Sequence, residues 1–235
     1  MGKRILKILA ALVFLGAAAF AAYETLKVRE IAVIGCVTKK AEDIAGISHI
    51  EYGESVFLLD RRAVLDRLSQ EPFIKPLSVE IEYPDKVVIT IEERLRAACI
   101  EKQGVLLIID KEGWLLEVKV MPQDIEYTLI TGVPADAAEV GKRLGTSDTF
   151  KLDVLSRVIS ALEENGLYAQ GIDISLAASV AVDLRGGMKI ELGDDTRLDE
   201  KMKWIKASLA SLREKGIEEG ILDVSTAKYA YHRVK

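Results

Sequence analysis

The sequence predicts an α+β protein with an N-terminal transmembrane helix, a small β-α-α-β-β domain, and a larger mixed α/β domain with a mostly antiparallel sheet. Three observations predict this fold class: an apolar run near the N-terminus, alternating strands around two short helical patterns, and later hairpins interrupted by two amphipathic helices. The predicted segments are a cytoplasmic tail at 1–7, the transmembrane helix at 8–23, the small domain at 24–96 and the larger domain at 97–235.

The apolar run at residues 5–23 contains a single charged side chain, Lys7, and follows a basic N-terminus. About 20 helical residues cross the ~30 Å hydrocarbon layer of a bilayer, so the run is just long enough to span it. Basic residues on its N-terminal side place that end in the cytoplasm and the remainder of the chain outside. The competing interpretation is a cleaved signal peptide processed at Ala19-Phe20-Ala21, although the length of the run favours a retained anchor.

The composition is that of an ordinary globular protein, with 49% hydrophobic and 29% charged residues. The first seven residues carry three of the 32 basic groups, which leaves 29 basic against 37 acidic groups in the rest, a net charge of −8. This balance argues against a nucleic-acid partner, because phosphate binding requires clustered Lys and Arg. Cys36 and Cys99 either pair in an oxidising compartment or remain separately buried thiols, and the second interpretation is preferred.

Three strands and two helices are predicted in the small domain. The first strand, at 28–34, stops at a glycine, and two alternating strands follow at 77–83 and 87–94 around a proline turn. Between them, Thr38 is the predicted N-cap of a helix that ends at Gly46. A second helix, capped by Asp60 or Ser55, is predicted to be closed off by Pro72 and Pro76.

This order of elements resembles a POTRA domain of the FtsQ/DivIB type. In that family a single membrane span is followed almost at once by a strand that ends in glycine, which here is Val28 to Gly35. A hairpin around a proline then ends in Glu-Arg and a small residue, which here are Pro84, Glu93-Arg94 and Ala97. The family often has a proline two residues after the arginine, where this chain has Arg96. The resemblance implies a POTRA-type domain at 24–96.

The larger domain is predicted to begin with a hairpin at 105–116, whose Asp-x-x-Gly turn is similar to that of the same family. A short strand at 127–132 and a meander within 172–192, with Gly186-Gly187 as one turn, follow along the chain. Two terminal strands are predicted at 221–225 and 228–234.

Two amphipathic helices are predicted in the same domain. Asp148 caps the first, which ends at Asn165-Gly166. A capping box at Thr196–Asp199 opens the second, which ends at Lys215-Gly216 with the cation at the negative end of the helix dipole.

No constellation of residues in the sequence points to chemistry. His49 and His232 are the two histidines, and neither lies near a second metal ligand at helical or hairpin spacing. The sequence has no G-x-S-x-G, no phosphate-binding glycine loop and no H-E-x-x-H motif. We therefore expect no enzyme activity, no cofactor, no metal and no small-molecule substrate.

The resemblance implies a non-enzymatic, single-pass scaffold of the bacterial divisome that supports septum formation. Such proteins lie in the cell membrane at the division septum, with a cytoplasmic N-terminus, and bind the extracytoplasmic parts of bitopic proteins of the FtsB/DivIC and FtsL type. The implied contact is strand addition at the edge formed by the last strand. The residues expected to bind the partner are Val224, Thr226, Tyr229, Ala230, Tyr231, His232 and Val234.

Alternation along this last strand places Tyr229 and Tyr231 on one face and Ala230 and His232 on the other. Tyrosines favour interface cores, yet each of these could instead pack on its own domain. The family usually has a glycine in the preceding turn, where this chain has 225–228, so the register of the strand stays open by one or two residues. The alternative function is that of a secreted or anchored polypeptide-binding POTRA protein, acting as a chaperone or sensor.

Overall fold

The chain begins with the α-helix α1 (Gly2–Thr25). The computed structural model describes residues 2–234, with the side chains of residues 7–17, 20 and 23–234. The predicted basic flank of Lys3 and Arg4 and the alanines of the predicted cleavage site lie outside these described side chains. No helix in the described part of the chain is both long enough and apolar enough to span a membrane.

The residues after α1 fold into two compact units that divide between Arg94 and Leu95. In the first unit a three-stranded sheet has the order β1-β3-β2, with β1 parallel and β2 antiparallel to the central strand. Its elements confirm the predicted order and are β1 (Glu30–Ile34), α2 (Ala41–Ser48), α3 (Arg61–Leu68), β2 (Ile74–Glu82) and β3 (Lys86–Glu93).

The two helices cover one face of this sheet and enclose a separate apolar core. Val64 and Leu68 of α3 and Ile44 of α2 meet Val87 and Ile89 of β3, and all five are buried. Burying one such side chain stabilises a fold by roughly 1.5–3 kcal/mol, so the contact between helices and sheet dominates the stability of the unit.

Of the two helix caps predicted in this unit, one is confirmed and the other is wrong. Asp60 caps α3 as predicted, because its carboxylate accepts the N–H groups of Arg62 and Ala63, each at 3.0 Å. The predicted cap at Thr38 is wrong, since α2 begins after Lys40 with no side-chain cap and runs through Gly46 to Ser48.

Of the two prolines predicted to close off the second helix, Pro76 lies inside the following strand. Pro76 lies within β2, at a register irregularity between residues 76 and 78. A proline lacks the N–H that a central strand needs, but an edge strand such as β2 can accommodate it. The strand therefore starts at Ile74 rather than at residue 77.

Glu93, at the end of β3, organises the loop that precedes α2. Its Oε2 accepts the backbone N–H groups of Val37 and Thr38 at 2.8 Å and of Lys39 at 3.1 Å, while the Thr38 hydroxyl donates to Oε1. Burial acts to raise the pKa of Glu93, but the hydrogen bonds from Thr38, Val37 and Lys39 outweigh it and lower the pKa to about 2. The carboxylate thus joins the end of β3 to the loop between β1 and α2.

The second unit contains a nine-stranded mixed sheet, in the order β12-β11-β10-β9-β8-β7-β4-β5-β6 within the described residues. Its elements are β4 (Ala98–Lys102), β5 (Val105–Ile109), β6 (Leu115–Val120), β7 (Thr128–Thr131), α4 (Thr149–Glu164), β8 (Ala169–Asp173), β9 (Val180–Leu184), β10 (Met188–Gly193), α5 (Leu198–Glu214), β11 (Gly220–Asp223) and β12 (Tyr231–Arg233). Five of the eight strand pairs are antiparallel, and β4–β7, β7–β8 and β10–β11 are parallel.

Strand β4 was not predicted from the sequence; it forms a hairpin with β5 and also pairs with β7. Ala98, Cys99 and Ile100 are all buried, so the strand is covered on both faces and lacks the alternation that marks a half-buried strand. Its turn, Gln103-Gly104, has positive φ at both residues (52° and 81°), which is the backbone geometry of a two-residue hairpin turn.

Helices α4 and α5 cover one face of the sheet and form the larger core with it. Asp148 caps α4 as predicted. The predicted capping box at Thr196–Asp199 is wrong, because α5 begins after Arg197 with no side-chain cap. Instead Asp194 accepts from Thr196 and from the fully buried Lys201 (Nζ to Oδ1, 2.8 Å), and these bonds, Lys201 first, lower the pKa of Asp194 to about 2.

Replacing Glu93 by glutamine should destabilise the first unit by about 2 kcal/mol. The glutamine amide has one oxygen to accept the hydrogen bonds that the two carboxylate oxygens accept, and its NH₂ group is itself a donor beside other donors. A carboxylate whose pKa is lowered on folding stabilises the fold at pH values above its unfolded-state pKa of 4.5. This stabilisation is lost as the pH falls toward the folded-state pKa of about 2. The stability difference between the unaltered chain and Glu93→Gln should therefore shrink in that pH window. It can be measured by amide hydrogen exchange in the first unit.

Glu92→Gln is the matched control for this experiment. Glu92 is the neighbouring residue in β3, is exposed, and pairs only at the surface with Lys75 (3.3 Å). Its replacement should change stability by less than about 0.5 kcal/mol. Equal effects of the two substitutions would contradict the role given to Glu93.

Candidate functional site

The outermost strand of the nine-stranded sheet, β12, carries two of the seven predicted site residues, Tyr231 and His232, and the other five flank it. It pairs antiparallel with β11, with Tyr231 opposite Asp223, His232 opposite Leu222 and Arg233 opposite Ile221. Within residues 2–234 no strand pairs with the other side of β12. The backbone on that side therefore forms a free sheet edge, which is the arrangement that strand addition requires.

The predicted site residues do not all face solvent. Tyr229 and Tyr231 expose 59% and 62% of their surface, and Val234 is more exposed still. Ala230 and His232 are half-buried, and Ala230 packs against the larger core. The two tyrosines are thus both largely exposed to solvent.

Two predicted site residues, Val224 and Thr226, lie before β12, and the first is buried whereas the second is exposed. Val224 is buried in the larger core, and its N–H donates to the Glu191 carbonyl at 3.0 Å. Its side chain is not exposed to a partner in this structure, and its place among the contact residues stays a prediction. Thr226 is exposed, and its carbonyl accepts a hydrogen bond from the Arg197 guanidinium at 2.6 Å.

The turn itself contains Ala227 in the left-handed region, at φ 55°. An L-residue with a Cβ adopts this conformation at a cost of roughly 1–2 kcal/mol, which explains why a glycine suits such a position. Here the Ala227 methyl group is buried and its N–H donates to the Val224 carbonyl at 3.0 Å. These contacts offset part of the strain and fix the start of the last strand.

Gly220 allows β12 to lie close to β11. Its φ is +137°, and a Cβ added there would lie 2.4 Å from His232 Nε2 and 2.9 Å from the Arg233 carbonyl oxygen. Any other residue would push β12 away from the sheet. Gly220 was not among the predicted site residues, and its one signal in the sequence is a glycine immediately before a predicted strand.

Charged side chains fix the lateral position of β12. The Arg233 guanidinium donates to the Glu191 carboxylate on β10, across the intervening strand. On the other face of β12, His232 Nε2 lies 3.4 Å from the Glu219 carbonyl oxygen. Both contacts are exposed, so they contribute to register more than to stability.

The opposite edge of the sheet, β6, is less open. Leu115 at its start is hydrogen-bonded to the 141–142 segment, with its N–H donating to the Lys142 carbonyl at 2.9 Å and its own carbonyl accepting from Gly141 at 2.8 Å. Further along, Glu117 bonds Arg96 at 2.6 Å and Lys119 at 3.2 Å. Charged residues on an edge strand discourage pairing with another chain.

Neither edge carries a catalytic arrangement among the described residues. No group of three His, Cys, Asp or Glu side chains within them could hold a metal ion. Cys36 and Cys99 are both free thiols, and burial raises the pKa of Cys99 to about 11. The chemistry offered by β12 is therefore backbone hydrogen bonding beside two exposed aromatic rings.

The chain matches the sequence model of the POTRA domain, FtsQ-type, over residues 26–94. It is 25% identical over 189 residues to the cell division protein DivIB of Clostridium tetani, which covers 79% of this chain and 71% of that protein. It is also 25% identical over 200 residues to DivIB of Clostridium acetobutylicum, with 84% and 79% covered. The cell division protein FtsQ of Syntrophotalea carbinolica is 25% identical over 159 residues, or 66% of this chain and 55% of that protein.

These relatives are cell division proteins, and the matched segment coincides with the small sheet organised by β3 and Glu93. The chain thus carries an FtsQ-type POTRA domain at residues 26–94 and is similar along most of its length to proteins named DivIB and FtsQ.

Proposed function

We propose that the chain is a non-enzymatic scaffold of the divisome that binds another division protein by strand addition at β12. The observation that carries the proposal is the free edge of β12 flanked by the exposed rings of Tyr229 and Tyr231. The relatives named DivIB and FtsQ support a role in cell division. The proposed partners are the extracytoplasmic parts of bitopic proteins of the FtsB/DivIC and FtsL type.

Backbone pairing at such an edge gives affinity without chemistry. β12 has three residues, and each new backbone hydrogen bond contributes about 0.5–1.5 kcal/mol net. Pairing alone is therefore too weak for a stable complex, and the two tyrosine rings supply the apolar area that a partner strand would bury. Lys228 adds positive charge beside them, which favours a partner strand with acidic neighbours.

The same proposal gives the apolar run at residues 5–23 within α1, several of whose side chains lie outside the described ones, the role of a single-pass membrane anchor with a cytoplasmic N-terminus. Large apolar side chains along the helix are exposed among its described residues, and packing against the folded units would have buried them. They are Ile8, Leu9, Leu12, Val13, Phe14, Leu15 and Phe20. The proposed location is the cell membrane at the division septum, with both folded units outside the cytoplasm.

Replacing Tyr231 by lysine should weaken capture of the purified FtsB/DivIC-type ectodomain at least about tenfold, because it removes a central aromatic contact. The domain should stay folded, since the Tyr231 ring is exposed. Binding can be measured by surface plasmon resonance, with circular dichroism as the folding check.

Tyr168→Lys is the matched control, because Tyr168 is at least as exposed and immediately precedes β8 in the middle of the sheet. It should leave binding unchanged. If Tyr231→Lys bound as tightly as this control, β12 would not be the partner-binding edge.

Replacing Gly220 by alanine should displace β12 and reduce partner binding, because the added methyl group collides with His232 and Arg233. Gly186→Ala separates this collision from backbone strain, since Gly186 has φ +120° with nothing within 4 Å of its added Cβ. Gly220→Ala should therefore increase hydrogen exchange at residues 231–233, whereas Gly186→Ala should not. Full protection of these amides in Gly220→Ala would refute the role of the glycine.

The full-length chain should sediment with membranes and retain Met1, because α1 is proposed to remain as an anchor. Carbonate extraction followed by mass spectrometry of the N-terminal peptide tests both statements. Recovery of a mature chain that begins near Ala22 or Tyr23 would instead show that the apolar run is a cleaved signal peptide.

A further inference from the structure

One end of the first unit presents a group of large apolar side chains to solvent. Tyr52, Phe57, Leu58 and Tyr83 are each 61–75% exposed, and the rings of Phe57 and Tyr83 lie 6.0 Å apart. We call these four residues the aromatic end patch. Single exposed apolar residues are common on protein surfaces, but a group of this kind marks an interaction site.

Two loops carry the aromatic end patch. Backbone hydrogen bonds hold the first, which contains Tyr52, Phe57 and Leu58, against the residues that follow α1. The Val28 N–H donates to the Glu54 carbonyl and the Gly53 N–H to the Val28 carbonyl, each at 2.8 Å. The Val56 N–H donates to the Leu26 carbonyl at 2.9 Å. Tyr52, Phe57 and Leu58 thus lie within two residues of amides bonded to the chain just after the helix.

The second patch loop, the β2–β3 turn, is held in the same way. The N–H groups of Arg29 and Glu30 donate to the Asp85 carbonyl at 2.8 and 3.3 Å. This turn carries Tyr83, which is why its ring reaches Phe57. The patch is therefore built around the first residues that follow the proposed membrane anchor.

The join between α1 and this end of the unit is itself structured. Leu26, one residue after the helix, packs against the core of the first unit. Tyr23, in the last turn of α1, lies under the Lys27 ammonium, which is 5.3 Å from the ring centroid. A helix that leaves a bilayer at Thr25 would therefore bring the patch to the lipid headgroups.

The geometry points to the aromatic end patch as a second, lipid-contacting surface that seats the first unit on the bilayer beside its anchor. Tyrosine and phenylalanine are suited to this position, since an aromatic ring with or without a polar tip lies favourably at headgroup level. The adjoining charges are mixed, with Glu51, Glu54 and Asp85 against Lys27 and Arg29. The surface therefore fits zwitterionic lipid, such as phosphatidylcholine, rather than anionic lipid.

This inference rests on the proposed anchor, and the experiment separates the two. The full-length chain is reconstituted in phosphatidylcholine vesicles with bromine on the acyl chains, which quenches nearby tryptophan. Phe57→Trp reports on the patch, and the fluorescence of Trp114 and Trp204, measured on the unaltered chain, is subtracted. Its added fluorescence should fall at least about twofold relative to vesicles without bromine, and 1 M salt should not reverse this.

Val37→Trp is the matched control. Val37 and Phe57 are similarly exposed, at 69% and 66%, and Val37 follows the opposite end of β1, roughly 15 Å along the strand. The control should show little quenching. Circular dichroism checks that both variants are folded.

The possible results distinguish the lipid-contacting surface from the membrane anchor. If the chain floats with the vesicles but Phe57→Trp is quenched no more than Val37→Trp, the lipid-contacting surface is overturned and the anchor stands. If quenching at position 57 disappears in high salt, the contact is electrostatic and the apolar seating is overturned. If the unaltered chain does not float with vesicles, the anchor fails and the inference fails with it.

Discussion

A β-sheet that does not close into a barrel must end in two strands whose outer backbone groups have no partner in the sheet. This constraint determines where the second unit can act. At one end, the 141–142 segment and the charged side chains of Glu117 and Lys119 occupy β6. At the other end β12 has no such cover within the described residues, so the free hydrogen-bonding capacity of the sheet is concentrated there.

The short length of β12 limits the tendency of an open sheet edge to aggregate. An exposed, long and flat edge strand promotes aggregation, whereas β12 has three residues and carries the charged Arg233. The proposed partner would therefore need more than backbone pairing, and the exposed Tyr229 and Tyr231 would provide the additional contact. Because Gly220 and the Arg233–Glu191 pair fix the strand against the sheet, the edge is ordered before a partner arrives, which lowers the entropic cost of binding.

The sequence predicted elements whose signal is local and failed where the deciding partner is distant. Helix α4 and strand β9 were found because one apolar face repeats at the period of the element. The cap at Thr38 was wrong because Glu93, 55 residues along the chain, accepts its hydroxyl group. The cap at Thr196 is an exception to this rule, since the Asp194 carboxylate that accepts its hydroxyl group is only two residues away. At the site, alternation located the two tyrosines, but it could not show that Val224 turns into the core or that β12 needs a glycine at position 220.

The polar groups that organise each unit are internal to it, so a contact made by one unit need not disturb the other. The Glu93 carboxylate joins β3 to the loop before α2 within the first unit, and the Asp194–Lys201 pair lies within the second. Each unit also has its own apolar core. Strand addition at β12 would therefore extend one sheet without disturbing the hydrogen bonds that hold the aromatic end patch beside α1. A protein built in this way can hold a membrane surface and a protein partner at once, because neither contact requires the other's residues.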